Sequence, residues 1–80
     1  MAAKSIRIPS LSNTQWDTLN RIVQSMPHGL RNDALNLLTA GSLKRRGLVM
    51  WHSGRKAWGP TARGVEVNFY GNPNRKETLQ

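Results

Sequence analysis

Apolar residues recur at helical spacing over the first third of the chain. Trp16, Leu19, Ile22, Val23 and Met26 fall on one stripe with polar residues between them. The run opens with Leu11-Ser12-Asn13-Thr14-Gln15-Trp16. In this order the Ser12 hydroxyl can accept an orphan amide while the Gln15 side chain, three residues on, reaches back to the Ser12 amide, which is a capping box. Leu11 and Trp16 are placed to form the accompanying hydrophobic staple. Asp17 is expected in the first turn, where a negative charge suits the helix dipole. Pro27, before His28-Gly29, stops the helix.

The next segment begins near Leu30 or Arg31. Leu30, Ala34, Leu35 and Leu38 make one face, and Arg31, Asn32, Asp33 and Asn36 the other. Thr39-Ala40-Gly41-Ser42 is its weak point: an interior glycine costs up to about 1 kcal/mol relative to alanine, and Thr39 is a fair N-cap. The pattern predicts two short helices meeting at a turn around Leu38-Thr39, the second from about Ala40 to Arg46, with one helix running through as the alternative. Gly47 can end it by accepting the left-handed conformation.

Leu48 to Trp51 is a short apolar run, Ser53-Gly54-Arg55-Lys56 a polar turn, and Ala57-Trp58 a second strand-like piece. With Gly54-Arg55 as the two-residue loop of a type II′ turn, glycine falls where positive φ is needed. Ser53 then faces Lys56, His52 faces Ala57, and Trp51 faces Trp58. A directly opposed aromatic pair contributes roughly 0.5–1 kcal/mol beyond alanine. Thr61, after Pro60, is placed to cap a short last helix through Ala62, Arg63, Val65 and Phe69. The alternation of Val65-Glu66-Val67-Asn68-Phe69 keeps a third strand or a dimer-forming edge as the alternative. Ile6-Arg7-Ile8, ended by Pro9, reads as a short edge strand or an extended arm. The expected organisation is an N-terminal arm over residues 1–10, a folded domain over 11–70 and a polar, turn-rich tail over 71–80.

Charge changes the picture from a small helical domain to a polyanion binder. The chain has 80 residues, a formal net charge of +8 and a sequence pI of about 11.6. That size is one domain near the lower limit for folding without staples. Such a field attracts DNA, RNA or anionic membrane. Membrane is the weakest of these, since no apolar run approaches the roughly 20 residues of a spanning helix, and the N-terminus lacks the apolar core of a signal peptide. There are no cysteines, so disulfides and thiolate metal sites are excluded and a soluble, cytoplasmic protein is expected. Between Asp33 and Glu66 there is no acidic residue, while Lys44, Arg45, Arg46, Arg55, Lys56 and Arg63 all lie there.

Helices leading to Leu43 and Arg46-Gly47-Leu48-Val49, then a hairpin carrying Trp58, then Thr61-Ala62-Arg63-Gly64, resemble the winged-helix branch of the helix-turn-helix proteins, as found in small bacterial and phage regulators. The resemblance covers roughly Leu11 to Phe69. It implies an α+β winged helix-turn-helix: a three-helix core, a C-terminal two-stranded β-hairpin as wing, and a short helix or strand after it. It implies a recognition helix in the major groove, with Thr39, Ala40, Gly41, Ser42, Lys44 and Arg45 as groove-facing candidates. Small residues at Ala40, Gly41 and Ser42 would let the backbone approach, and Lys44 and Arg45 can donate to guanine edges or phosphates. Arg55 and Lys56 at the hairpin tip would be wing contacts, and Arg63 with the amides opening its helix would hold a phosphate.

Each feature also has a plainer reading. The stripe of Trp16, Leu19 and Val23 is core. Trp51 and Trp58 read first as a packing pair, because stacking on single strands needs open ring faces. Lys44-Arg45-Arg46 alone would be a solvated helix end, and Arg46 can pack its stem under the wing. Catalysis has little support: His28 and His52 lie in unlike surroundings, Asp17, Asp33, Glu66 and Glu77 form no close pair in sequence, and no phosphate loop, zinc-ligand spacing or nucleophile motif is present. No cofactor or metal is expected. The sequence therefore predicts a double-stranded DNA binder, a small transcriptional regulator or a phage or plasmid accessory factor, with a homodimer as one way to lengthen its site. The alternatives are an RNA- or ribosome-associated winged helix and a protein-interaction module that inhibits a host complex.

Overall fold

The structure, a computed structural model, describes residues 8–73. Within them, helix α1 (Asn13–Gln24) leads through a single 3-10 turn at Asn32–Ala34 to helix α2 (Leu37–Arg45), strands β1 (Val49–His52) and β2 (Ala57–Pro60), and helix α3 (Ala62–Gly71). This is an α+β arrangement of three α-helices and one antiparallel hairpin. The expected core of three helices before the hairpin is corrected: the middle piece is one 3-10 turn, and the third α-helix comes after β2. Of the N-terminal arm only Ile8 to Ser10 is described, and it forms no strand; the rest of the arm and the tail from Asn74 lie outside the described residues.

The start of α1 is built as its local sequence dictates. The Ser12 amide donates to Gln15 Oε1 at 2.9 Å and the Gln15 amide donates to Ser12 Oγ at 3.2 Å, so two orphan donors are satisfied reciprocally. Trp16, Leu19 and Ile22 are buried, and Leu11 and Val23 pack against them. Two details differ from expectation. No acidic residue lies in the first turn, because the helix starts at Asn13 and Asp17 falls one residue past it. The helix also closes earlier than Pro27: the Ser25 amide donates to Arg21 O and Ile22 O, its hydroxyl to Ile22 O at 2.6 Å, and Met26 is left exposed.

Leu30 does not begin a helix. It forms an isolated antiparallel bridge with Trp58, exchanging both backbone hydrogen bonds at 3.0 and 2.7 Å. The chain then makes its 3-10 turn, and α2 is capped by Asn36, whose Oδ1 accepts from the amides of Leu38 (2.9 Å) and Thr39 (3.2 Å). The second helix therefore starts three residues before the predicted Ala40, and the joint lies at Leu35-Asn36. Thr39 is inside the first turn rather than the cap, and Thr39 to Ser42 is helical throughout.

The end of α2 is a Schellman motif. Gly47, at φ +78°, lets its amide reach Lys44 O at 2.9 Å and the Leu48 amide reach Leu43 O at 3.0 Å. Leu43 and Leu48 are both fully buried, which supplies the hydrophobic contact that accompanies this motif. The hairpin that follows has the predicted register, Trp51 opposite Trp58 and His52 opposite Ala57. The tryptophan rings meet edge to face, with centroids 5.4 Å apart. Its turn is not type II′. The Arg55 amide closes a β-turn on His52 O at 3.2 Å, and the positive φ (54°) belongs to Lys56, not Gly54. Four residues, rather than two, separate the last pair.

Helix α3 settles the ambiguity at Val65–Phe69 in favour of a helix. Thr61 Oγ1 accepts from the Gly64 amide at 3.0 Å and donates to Gly47 O at 2.6 Å, so one hydroxyl caps α3 and ties it to the end of α2. Asparagines join α3 to α1: Asn72 Nδ2 donates to Trp16 O and to Asn68 Oδ1, and Asn68 Nδ2 donates to Asn20 Oδ1 at 3.1 Å. Asn72, expected in a loose tail, is buried at the C-cap. Trp16, Leu19, Ile22, Ala40, Leu43, Leu48, Val49, Trp58 and Val67 form the core between these elements.

Candidate nucleic-acid interface

Helix α2 places its residues on two sides. Ala40 and Leu43 are buried. Ser42 turns toward α1, where its Oγ accepts from Gln15 Nε2 at 2.9 Å and donates to Thr39 O at 2.8 Å. Gln15 thus closes the α1 cap with its oxygen and docks α2 with its nitrogen, a double use that a glutamate could not supply. Thr39 is half-buried. The exposed side of α2 carries Leu37, Leu38, Lys44 and Arg45 with half-buried Gly41 among them.

That side borders the hairpin across a groove of about 660 Å³ lined by Leu37, Gly41, Lys44, Arg45, Trp51, Trp58 and Asn32. Trp58 Nε1 donates to Asn32 Oδ1 at 2.8 Å, so the buried indole is satisfied and the 3-10 turn is fixed against β2. A second opening of about 520 Å³ shares Asn32 and Trp51 and continues toward the hairpin tip between Arg31, Asp33, Ser53 and Lys56. The first opening lies between α2, the 3-10 turn and the hairpin, and the second between the 3-10 turn and the hairpin. Cations stand at each: Lys44 and Arg45 at the first, Arg31 and Lys56 at the second. Asp33 is the one carboxylate among these lining residues.

Of the predicted contact residues, the fold gathers Lys44 and Arg45 with Gly41 on one groove and sets Lys56 at the adjoining one. Arg55 is drawn back from the tip: its Nη1 donates to Pro27 O at 2.7 Å, linking the hairpin to the segment after α1. Arg63 is exposed in the first turn of α3 and does not line either opening. Ser42 faces α1 and Thr39 is half-buried, and neither lines either opening. Sequence reasoning placed Arg31 and Asn32 on a polar face but did not single out Arg31, Asn32, Leu37 or Leu38 as candidate contact residues. The spacing puts Leu38 on an apolar face with Leu30, Ala34 and Leu35, whereas in the fold Ala40 and Leu43 are the buried residues of α2 and Leu38 is exposed.

No group of three or more potential metal-ligating residues is found among the described residues, and no helix there is long and apolar enough to cross a membrane. No family model, curated protein or solved structure matches the chain.

Proposed function

We propose that this chain binds double-stranded DNA as a winged-helix module, with α2 as the recognition helix in the major groove and the β1–β2 hairpin as the wing. On this reading it serves as a small transcriptional regulator or a phage or plasmid accessory factor. The observation that carries the reading is the pair of adjoining openings beside α2 and the hairpin, one lined by Lys44 and Arg45 and the other by Arg31 and Lys56, with Asn32 and Trp51 common to both. The backbone of a duplex brings closely spaced phosphates, and each one neutralised releases counterions. Lys44 and Arg45 stand in the last turn of α2, where they can donate to a guanine edge or a phosphate, and Lys56 at the tip reaches the flanking backbone.

Fluorescence anisotropy with a labelled duplex tests this. Affinity is expected to fall by about two to three orders of magnitude between about 50 and about 200 mM salt, as for some five phosphate contacts. Combined replacement K44A, R45A and K56A should flatten the salt slope by roughly one per lost phosphate contact. Unchanged affinity and slope in the triple variant, with its circular dichroism intact, would place binding elsewhere and remove α2 and the hairpin from the interface. A preference for single-stranded RNA over duplex DNA in the same assay would replace the reading with an RNA-binding one.

A further inference from the structure

The exposed side of α2 changes character along its length. At its C-terminal end stand Lys44 and Arg45; at its N-terminal end stand Leu37, 52% exposed, and Leu38, 85% exposed. Leu38 is more open to solvent than any other exposed large hydrophobic residue among those described. The polar side chains nearby are mostly committed. Asn36 Oδ1 accepts the Leu38 and Thr39 amides, Ser42 Oγ is held between Gln15 and Thr39 O, and Asn32 Oδ1 takes the Trp58 indole. Gly41, between the two ends, adds no side chain to keep the helix away from a surface laid against it.

In a major groove the N-terminal residues of a recognition helix meet the base edges. The apolar feature on those edges is the C5-methyl group of thymine. We propose that Leu37 and Leu38 read thymine methyl groups, so that the chain selects duplex sites with thymines beneath the N-terminal half of α2. Lys44 and Arg45, about two turns further on, hold the register of that contact. The inference rests on the duplex-binding reading and deepens it, because it names the base chemistry the helix recognises. The run of cations from Lys44 to Arg63 without an acidic residue favours a polyanionic occupant over an apolar protein surface for these two leucines.

The test is selection of bound duplexes from a random pool, followed by resynthesis of the enriched site with deoxyuridine in place of thymine. Deoxyuridine keeps the base pair and removes only the methyl group. Enriched sites should hold thymine at fixed positions, and each substitution there should weaken binding about fourfold, the equivalent of one buried methyl group. Substitution outside the footprint should have no effect. In an L37A/L38A variant, whose changes lie on the surface and should leave the circular dichroism intact, thymine and uridine duplexes should bind alike. If the wild-type chain binds thymine and uridine duplexes equally, or binds the pool without enriching thymine positions, the inference is overturned while duplex binding stands. If it binds no duplex at all, both readings fall.

Discussion

Gly64 has no room for a side chain. A Cβ there would overlap the carbonyl oxygen of Leu48, the same oxygen that accepts the Thr61 amide at 3.0 Å. Gly47 is constrained differently: nothing lies within 4 Å of a Cβ built on it, but its φ is +78°. The two glycines therefore resist substitution for separable reasons, one steric and one conformational. Gly64→Ala must push α3 off the α2–β1 link and should cost about 3 kcal/mol or more, at the upper end of overpacking effects. Gly47→Ala should cost only the left-handed penalty of about 1–2 kcal/mol, and Gly47→Asn less, since asparagine tolerates that region. Urea titrations of the three variants check the order. Equal losses at Gly47 and Gly64 would show that the close approach to Leu48 is not what fixes glycine at position 64. Of the residues that carry the winged-helix resemblance, Gly47, Leu48, Thr61 and Gly64 join the end of α2 to the start of α3.

At the scale of elements, the position of α2 depends on Asn36. Its side chain satisfies the Leu38 and Thr39 amides, so Asn36→Ala should destabilise the chain by about 1 kcal/mol, within the usual range of about 0.5–2 for a lost N-cap. Thr39→Ala should stay within about 0.5 kcal/mol of wild type, as for a residue without a cap, cavity or network role. Thermal unfolding followed by circular dichroism separates the two, and the opposite order would restore Thr39 as the cap and Ala40 as the start of the helix. The contrast also explains what was legible in the sequence. The capping box at Ser12-Gln15, the glycine stop at Gly47 and the cap at Thr61 are contacts between residues three to five apart, so their residue types announce them. The Trp51–Trp58 register was legible because two large aromatics at matched distances from a polar turn have one economical pairing, whereas the turn was misread because Lys56, not a glycine, takes the positive φ. Leu30 and Asn36 were missed for one reason. Within Leu30–Leu38 the apolar spacing suits a helix, and what interrupts it, the bridge from Leu30 to Trp58 and the Trp58–Asn32 hydrogen bond, comes from residues more than twenty positions away. The same shift changes the make-up of the candidate interface: Lys44 and Arg45 line one opening and Lys56 the other, Ser42 faces α1, and Leu37 and Leu38 are exposed at the start of the helix.

For the molecule as a whole, charge acts on folding and on the proposed binding with opposite sign. A net charge of +8 on 80 residues burdens the compact state with self-repulsion. Salt shortens the reach of that repulsion, the Debye length being about 10 Å at 0.1 M. Raising sodium chloride should therefore stabilise the free chain, by an amount on the order of 0.5 kcal/mol, or roughly 2–4 °C in Tm for a domain of this size. On the proposed reading, a duplex that binds the folded state would stabilise it by mass action, by about 2.7 kcal/mol when its concentration is 100 times Kd. Salt raises that Kd steeply, so the Tm of the chain with duplex should fall as the Tm of the free chain rises. The two curves should converge toward high salt. Differential scanning fluorimetry across a salt series, with and without duplex, reads both at once. Parallel curves would mean that the duplex contact is not electrostatic. A free-chain Tm that drops with salt would mean that attractive pairs outweigh the repulsion among Arg31, Lys44, Arg45, Arg46, Arg55, Lys56 and Arg63.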